Sequence, residues 1–191
     1  MTTHRRAPGK KMPHCVLLLR AVNVGGTGRV PMAELRSALA AQTALTDIET
    51  YIQSGNIICD LPPVPADACD EVRALIAREF GVDTPVILRL HEELAASAQA
   101  RPFVDPLPED ETRVHAMFLA GPARGEAIET LAPRLGEGER LAMVGNDLWI
   151  HYGAGGAART KLTRTVLDRA LGVPGTARNL RTVRELIART A

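Results

Sequence analysis

Aromatic side chains are scarce in this chain: one tryptophan, two tyrosines and three phenylalanines among 191 residues. Sheets that bind single-stranded RNA stack bases on exposed aromatics, and the apolar run nearest the N-terminus, Cys15 to Leu19, contains none. The formal net charge is only +1, so no global field draws the chain to nucleic acid or to an anionic membrane. The three cysteines, Cys15, Cys59 and Cys69, form no C-x-x-C pair. That argues against a disulfide framework and a zinc site, and reads as reduced, packed thiols. The histidines at 4, 14, 91, 115 and 151 fall in no H-E-x-x-H spacing, and no G-x-S-x-G elbow occurs, so neither a metal nor a cofactor is expected. No apolar stretch approaches a membrane span. Arg5 and Arg6 precede an apolar run, but Arg20 ends it too soon for a secretory signal. The chain therefore reads as cytoplasmic, with residues 1–12 as a floppy basic tail and Met12 as a candidate start.

What is present is enough apolar residue, 46%, to build a core without staples. Cys15 to Leu19 is apolar at every position, the pattern of a strand buried on both faces. A glycine-rich loop follows, from Val22 to Gly28. Pro31 suits a helix start, and Met32, Leu35, Ala38 and Leu39 recur at helical spacing. Ile48 to Ile52 and Asn56 to Cys59 flank Ser54-Gly55 as a hairpin. Pro62, Pro63 and Pro65 break the chain. Val72, Leu75, Ile76 and Phe80 mark a second helix stopped by Gly81, and Pro85 to Leu90 closes a β-α-β-β-α-β unit. Residues 91–112 read as a connector, with a short helix from Glu92 to Gln99 and a proline- and acid-rich linker after it.

The order then repeats. Val114 to Leu119 is a strand. Ile128 and Leu131 belong to a helix, and Leu141 to Val144 and Leu148 to Tyr152 flank Gly145-Asn146-Asp147. Leu162, Val166, Leu167, Ala170 and Leu171 share a helical face, Thr176 to Asn179 is a last strand, and Thr182-x-x-Glu185 has the capping-box pattern of a terminal helix. The expectation is an α+β chain of two ferredoxin-like units with antiparallel sheets, at 13–90 and 113–191. A single such unit leaves one sheet face open, yet the first strand has no polar face. Either the two sheets pack on each other or each unit meets a partner chain.

Topology also places a site. In a βαββαβ sheet the first strand ends at the edge where the hairpin turns. Arg20, Asn23, Gly25 and Gly26 should therefore neighbour Gln53, Ser54 and Asn56, close to the helix N-terminus at Pro31. Such an edge can hold an anion on freed N–H groups, and it can equally be a set of turn residues satisfying one another. A second basic cluster, Arg159, Lys161 and Arg178, suggests another anion site or a solvated face. Trp149, His151 and His115 are expected on one sheet face by alternation.

The residues from Leu19 to Gly26, Val30-Pro31-Met32-Ala33-Glu34-Leu35, Tyr51-Ile52-Gln53-Ser54-Gly55-Asn56, Thr160-Lys161-Leu162 and Ala177-Arg178-Asn179 resemble the bacterial family catalogued as domain of unknown function 1697. The match runs in order from about residue 13 to the C-terminus, and departs at Arg29, Thr160 and Leu180, where lysine, serine and tryptophan are usual. The resemblance implies two ferredoxin-like subdomains and no known reaction. The leading functional expectation is a binding or interaction protein that uses the Asn23–Gly26 loop and the Gln53–Asn56 hairpin, with its partner unknown. The alternatives are an enzyme or regulator of a small phosphorylated ligand at the same edge, and weak nucleic-acid binding through the Arg/Lys clusters.

Overall fold

The computed structural model describes residues 14–26, 28–62, 67–103 and 111–191. The basic tail, most of the acidic linker and two of the three breaking prolines, Pro63 and Pro65, lie outside the described residues. The first unit runs β1 (His14–Leu19), α1 (Met32–Gln42), β2 (Thr46–Tyr51), β3 (Asn56–Asp60), α2 (Ala68–Phe80) and β4 (Val86–Leu90), and α3 (His91–Gln99) follows directly. The second runs β5 (Val114–Leu119), α4 (Ala127–Leu131), β6 (Arg140–Val144), β7 (Asp147–His151), α5 (Arg164–Leu171) and β8 (Gly175–Asn179), and α6 (Leu180–Arg189) follows in the same way. Each unit forms a four-stranded antiparallel sheet, ordered β2-β3-β1-β4 and β6-β7-β5-β8. Two ferredoxin-like units in tandem are thus present.

Alternation along β1 explains its uniformly apolar sequence. Cys15, Leu17 and Leu19 pack against α1 and α2 through Leu35, Leu39, Val72 and Ile76. Val16 and Leu18 point the other way, into a core shared with Ala116 and Phe118 of β5 and with Trp149 of β7. The two sheets therefore pack face to face within one chain. Leu94 of α3 and Val183 and Leu186 of α6 complete this central core. The outer face of the second sheet is covered by α4 and α5 through Leu131, Leu167 and Leu171.

Local chemistry shifts several expected boundaries. Pro31 is the residue before α1, not its first turn. The terminal helix starts ahead of the expected capping box: Asn179 is its N-cap, with Oδ1 accepting from Thr182 N at 2.9 Å, so Thr182 lies inside the first turn. Trp149 and His115 are on opposite faces. Trp149 is the cross-strand partner of Ala116, and opposed residues share a face. It therefore points into the central core, with Nε1 donating to Ser97 Oγ at 3.1 Å. His115 points to the opposite face of the sheet, its ring edge-on to buried Tyr152 at 5.0 Å.

Candidate functional site

The loop after β1 and the β2–β3 hairpin do meet, and Asn23 joins them. Its backbone is left-handed, at φ +55°, a conformation asparagine tolerates better than most residues. Its Nδ2 donates to Val30 O at 2.9 Å and to Gln53 O at 2.8 Å, while Oδ1 accepts from Val30 N at 2.8 Å. The side chain closes its own loop and pins the loop to the hairpin, so its polar atoms are already used. Gly55 holds the hairpin against β1. At φ +77° it stands where a Cβ would come within 2.7 Å of Leu19 and Val22 side-chain atoms, and its carbonyl accepts from Leu19 N at 2.8 Å.

The centre of this edge is Arg178, which sequence reasoning assigns to the other basic cluster. From β8 of the second sheet it crosses the central core and is buried. Nε donates to Asn56 Oδ1 at 2.5 Å, Nη1 to Thr176 Oγ1 at 2.7 Å and to Ala177 O at 2.9 Å, and Nη2 to Leu19 O at 2.9 Å and Ser54 O at 3.0 Å. None of these partners is a carboxylate. Desolvation pulls the guanidinium pKa down to about 10. Asn56 completes the lattice by donating from Nδ2 to Tyr51 O at 3.0 Å and to Ser54 Oγ at 3.2 Å. Arg20, expected in the cluster, leaves it: Nη2 donates to Asp168 Oδ2 of α5 at 2.5 Å. The arrangement is a neutral-walled clamp on one cation. The Arg178 N–H groups are committed to carbonyls, Asn56 Oδ1 and Thr176 Oγ1, so the guanidinium is not free for a phosphate.

Facing solvent, the edge shows different chemistry. Gly25, Gly26 and Gln53 are exposed. Among the described residues Val24 and Ile52 are the exposed large hydrophobics, at 55% and 47%, and they flank Asn23 and Gln53 on the joined loop and hairpin. Ile52 also sits at φ +50°. That region is costly for a β-branched residue, so the strain is held in place by the lattice beneath it.

The second unit repeats the clamp with one change. Arg89 of β4 lies opposite Val16 as Arg178 of β8 lies opposite Ala116. Arg89 Nη2 donates to Leu119 O at 2.8 Å and to Asp147 Oδ1 at 2.8 Å. Leu119 and Asp147 stand where Leu19 and Asn56 stand in the first unit. Each sheet thus sends an arginine into the other. One meets an amide and the other a carboxylate. Arg89 and Asp147 went unsuggested by sequence spacing. Aligning the repeats strand by strand would have found them, since both arginines are followed within two residues by a helix start.

The remaining candidates do not assemble. Arg159 and Lys161 are exposed ahead of α5 and share no partner with Arg178, whose guanidinium is occupied in the clamp, so the expected trio is not one site. Cys15 and Cys59 do oppose each other across β1 and β3, with sulfurs 3.6 Å apart. The shared thiol hydrogen bond, then burial, push the Cys15 pKa well up, so it carries no thiolate at neutral pH. Among the described residues no three His, Cys, Asp or Glu side chains gather to hold a metal ion, and no helix is long and apolar enough to cross a membrane.

A solved structure of a conserved bacterial protein from Streptococcus pneumoniae is 23% identical to this chain. It superposes with a TM-score of 0.73 over 94% of this chain and 99% of that one. At that identity the likeness carries the fold alone. No curated protein matches the chain. The family model described as protein of unknown function DUF1697 matches residues 12–149, a span that includes the glycine-rich loop, the first hairpin and Arg89 and ends within β7. The chain belongs to the DUF1697 family.

Proposed function

We propose that the protein is a cytoplasmic, bacterial, non-catalytic interaction protein that docks a protein partner on the edge formed by the Asn23–Gly26 loop and the Gln53–Asn56 hairpin. The observation that carries this reading is the pairing of exposed Val24 and Ile52 on backbone that the Asn23 and Arg178 hydrogen bonds hold rigid. Preorganised apolar side chains on a fixed loop bind with little ordering cost. A strained residue at such a position is a further mark of function. The phosphorylated-ligand reading has less support, because the side-chain donors of Asn23, Asn56 and Arg178 are bonded within the edge. The enzyme reading is weaker still: Asn23 and Asn56, the side chains that build the edge, serve neither as nucleophile nor as general base.

The test is photocrosslinking in the native cells from a photoreactive residue in place of Gln53, with Arg169, exposed on α5, as the control position. A discrete adduct from position 53 that is absent from position 169 and lost on Val24→Asp is expected. Equal, diffuse labelling from both positions would remove the edge as a docking surface.

A further inference from the structure

The pseudo-symmetry of the two units exposes a difference between them. In the first unit, Tyr51 opposes Asn56 at the mouth of the hairpin. Arg189 of α6 lies over its ring at 4.8 Å, itself held by Glu185 at 2.7 Å. The edge is filled. In the second unit Val144 takes the place of Tyr51, opposite Asp147. Arg189 stands as far beyond Arg178 as Ala100 stands beyond Arg89, and Glu185 corresponds in the same way to Ala96. Three large side chains are thus replaced by Val144, Ala100 and Ala96. The space they would occupy is a cleft of about 420 Å³ between α3, the end of β5 and the β6–β7 hairpin. That volume lies within the ~300–1,000 Å³ range of small-molecule sites.

The cleft has a charge as well as a shape. Among the described residues, Asp147 and Glu93 line it against a single cation, Arg89. Arg89 already donates to Asp147, Leu119 O and Leu88 O. Glu93 uses Oε2 on the Leu90 amide. Ser97, which accepts from Trp149, keeps its hydroxyl hydrogen as a donor. Ala96 and Ala100 belong to the last turn of α3 and its cap, the negative end of that helix. Carboxylates in excess and a helix C-terminus favour a cation, and the alanine and valine walls favour an apolar body.

We propose that this cleft binds a small organic amine, its ammonium on the Glu93–Asp147 side and its body against Ala96, Ala100 and Val144. The proposal is independent of the docking edge, which belongs to the first unit.

Three probes share one skeleton: 2-phenylethylamine, 2-phenylethanol and 3-phenylpropanoate. Saturation-transfer NMR and thermal shift on the full chain should rank the amine first and the carboxylate last. Glu93→Gln should weaken the amine about five- to tenfold, as expected for the loss of one partly solvated charge contact. Val144→Tyr with Ala100→Gln, which refills the cleft as the first unit is filled, should abolish binding without lowering the melting temperature. Equal or better binding of the carboxylate, binding that survives the filled variant, or no binding of any probe would each overturn the assignment.

Discussion

At the scale of single residues, Asn23 is a structural tie. It makes hydrogen bonds to Val30 and Gln53 from a left-handed backbone. Asn23→Ala removes them and leaves an L-residue at positive φ. The expected loss is about 1–3 kcal/mol of unfolding free energy, read as a lower urea midpoint with an unchanged m-value. An unchanged midpoint would mean that the loop is held by something else. His115 sets a pH dependence. Burial lowers its pKa below the ordinary 6.5, with a hydrogen bond to the Arg113 backbone acting in the opposite sense. As pH falls through 6.5, the unfolded chain takes up a proton that the folded ring resists. The unfolded state then binds more protons, so stability falls with falling pH in that window and is unaffected above it. Unfolding free energies measured from about pH 7 to pH 5 should show this slope in the parent and a flatter profile in His115→Phe.

At the scale of elements, the exchange of arginines between β4 and β8 joins the sheets. Arg178→Met keeps much of the apolar stem and deletes the guanidinium. Ser54 O and Asn56 Oδ1 then lose their donor in the buried interface, and Leu19 O keeps only the Thr176 hydroxyl. The expected destabilisation is at least about 2 kcal/mol, from two buried acceptors orphaned at roughly 1–3 kcal/mol each, measured by chemical denaturation; a loss below about 1 kcal/mol, the scale of one ordinary hydrogen bond, would refute the clamp. Much of the element order is legible in sequence because it follows periodicity and turn chemistry. Cys15–Leu19, both hairpins, and Leu162–Leu171 (whose helix proper begins at Arg164) announce themselves within short windows. The meeting of Asn23 with Gln53 is legible too, since it follows from where strand one ends. Arg178 is not. Its partners in β1 and the first hairpin are more than a hundred residues away in sequence, and no local pattern encodes which sheet face it crosses. Asn179 as the cap of α6 is hidden for a different reason. The Thr182-Glu185 spacing imitates a cap, while the Asn179 side chain already satisfies the Thr182 amide.

At the scale of the molecule, two units of low mutual identity share one central core to which Val16, Phe118 and Trp149 all belong. They should unfold together. Trp149 is the sole tryptophan and lies in that core, so its fluorescence transition should coincide with the far-UV circular dichroism transition; two separated transitions would mean that the units are independent. The outer surface of this single body is asymmetric. The first unit presents Val24 and Ile52 over a filled edge, whereas the second presents an open cleft at the equivalent place. The central claim is that the strained, apolar edge exists for a partner, and Ile52 separates that role from stability. Relieving the strain with Ile52→Asn should stabilise the chain by about 1 kcal/mol, because asparagine visits the left-handed region at lower cost. The most direct measurement is the yield of the position-53 crosslinked adduct in Ile52→Asn relative to the parent. A yield that falls severalfold in a chain at least as stable as the parent is the predicted result. An undiminished yield would contradict the assignment of the edge as the partner surface.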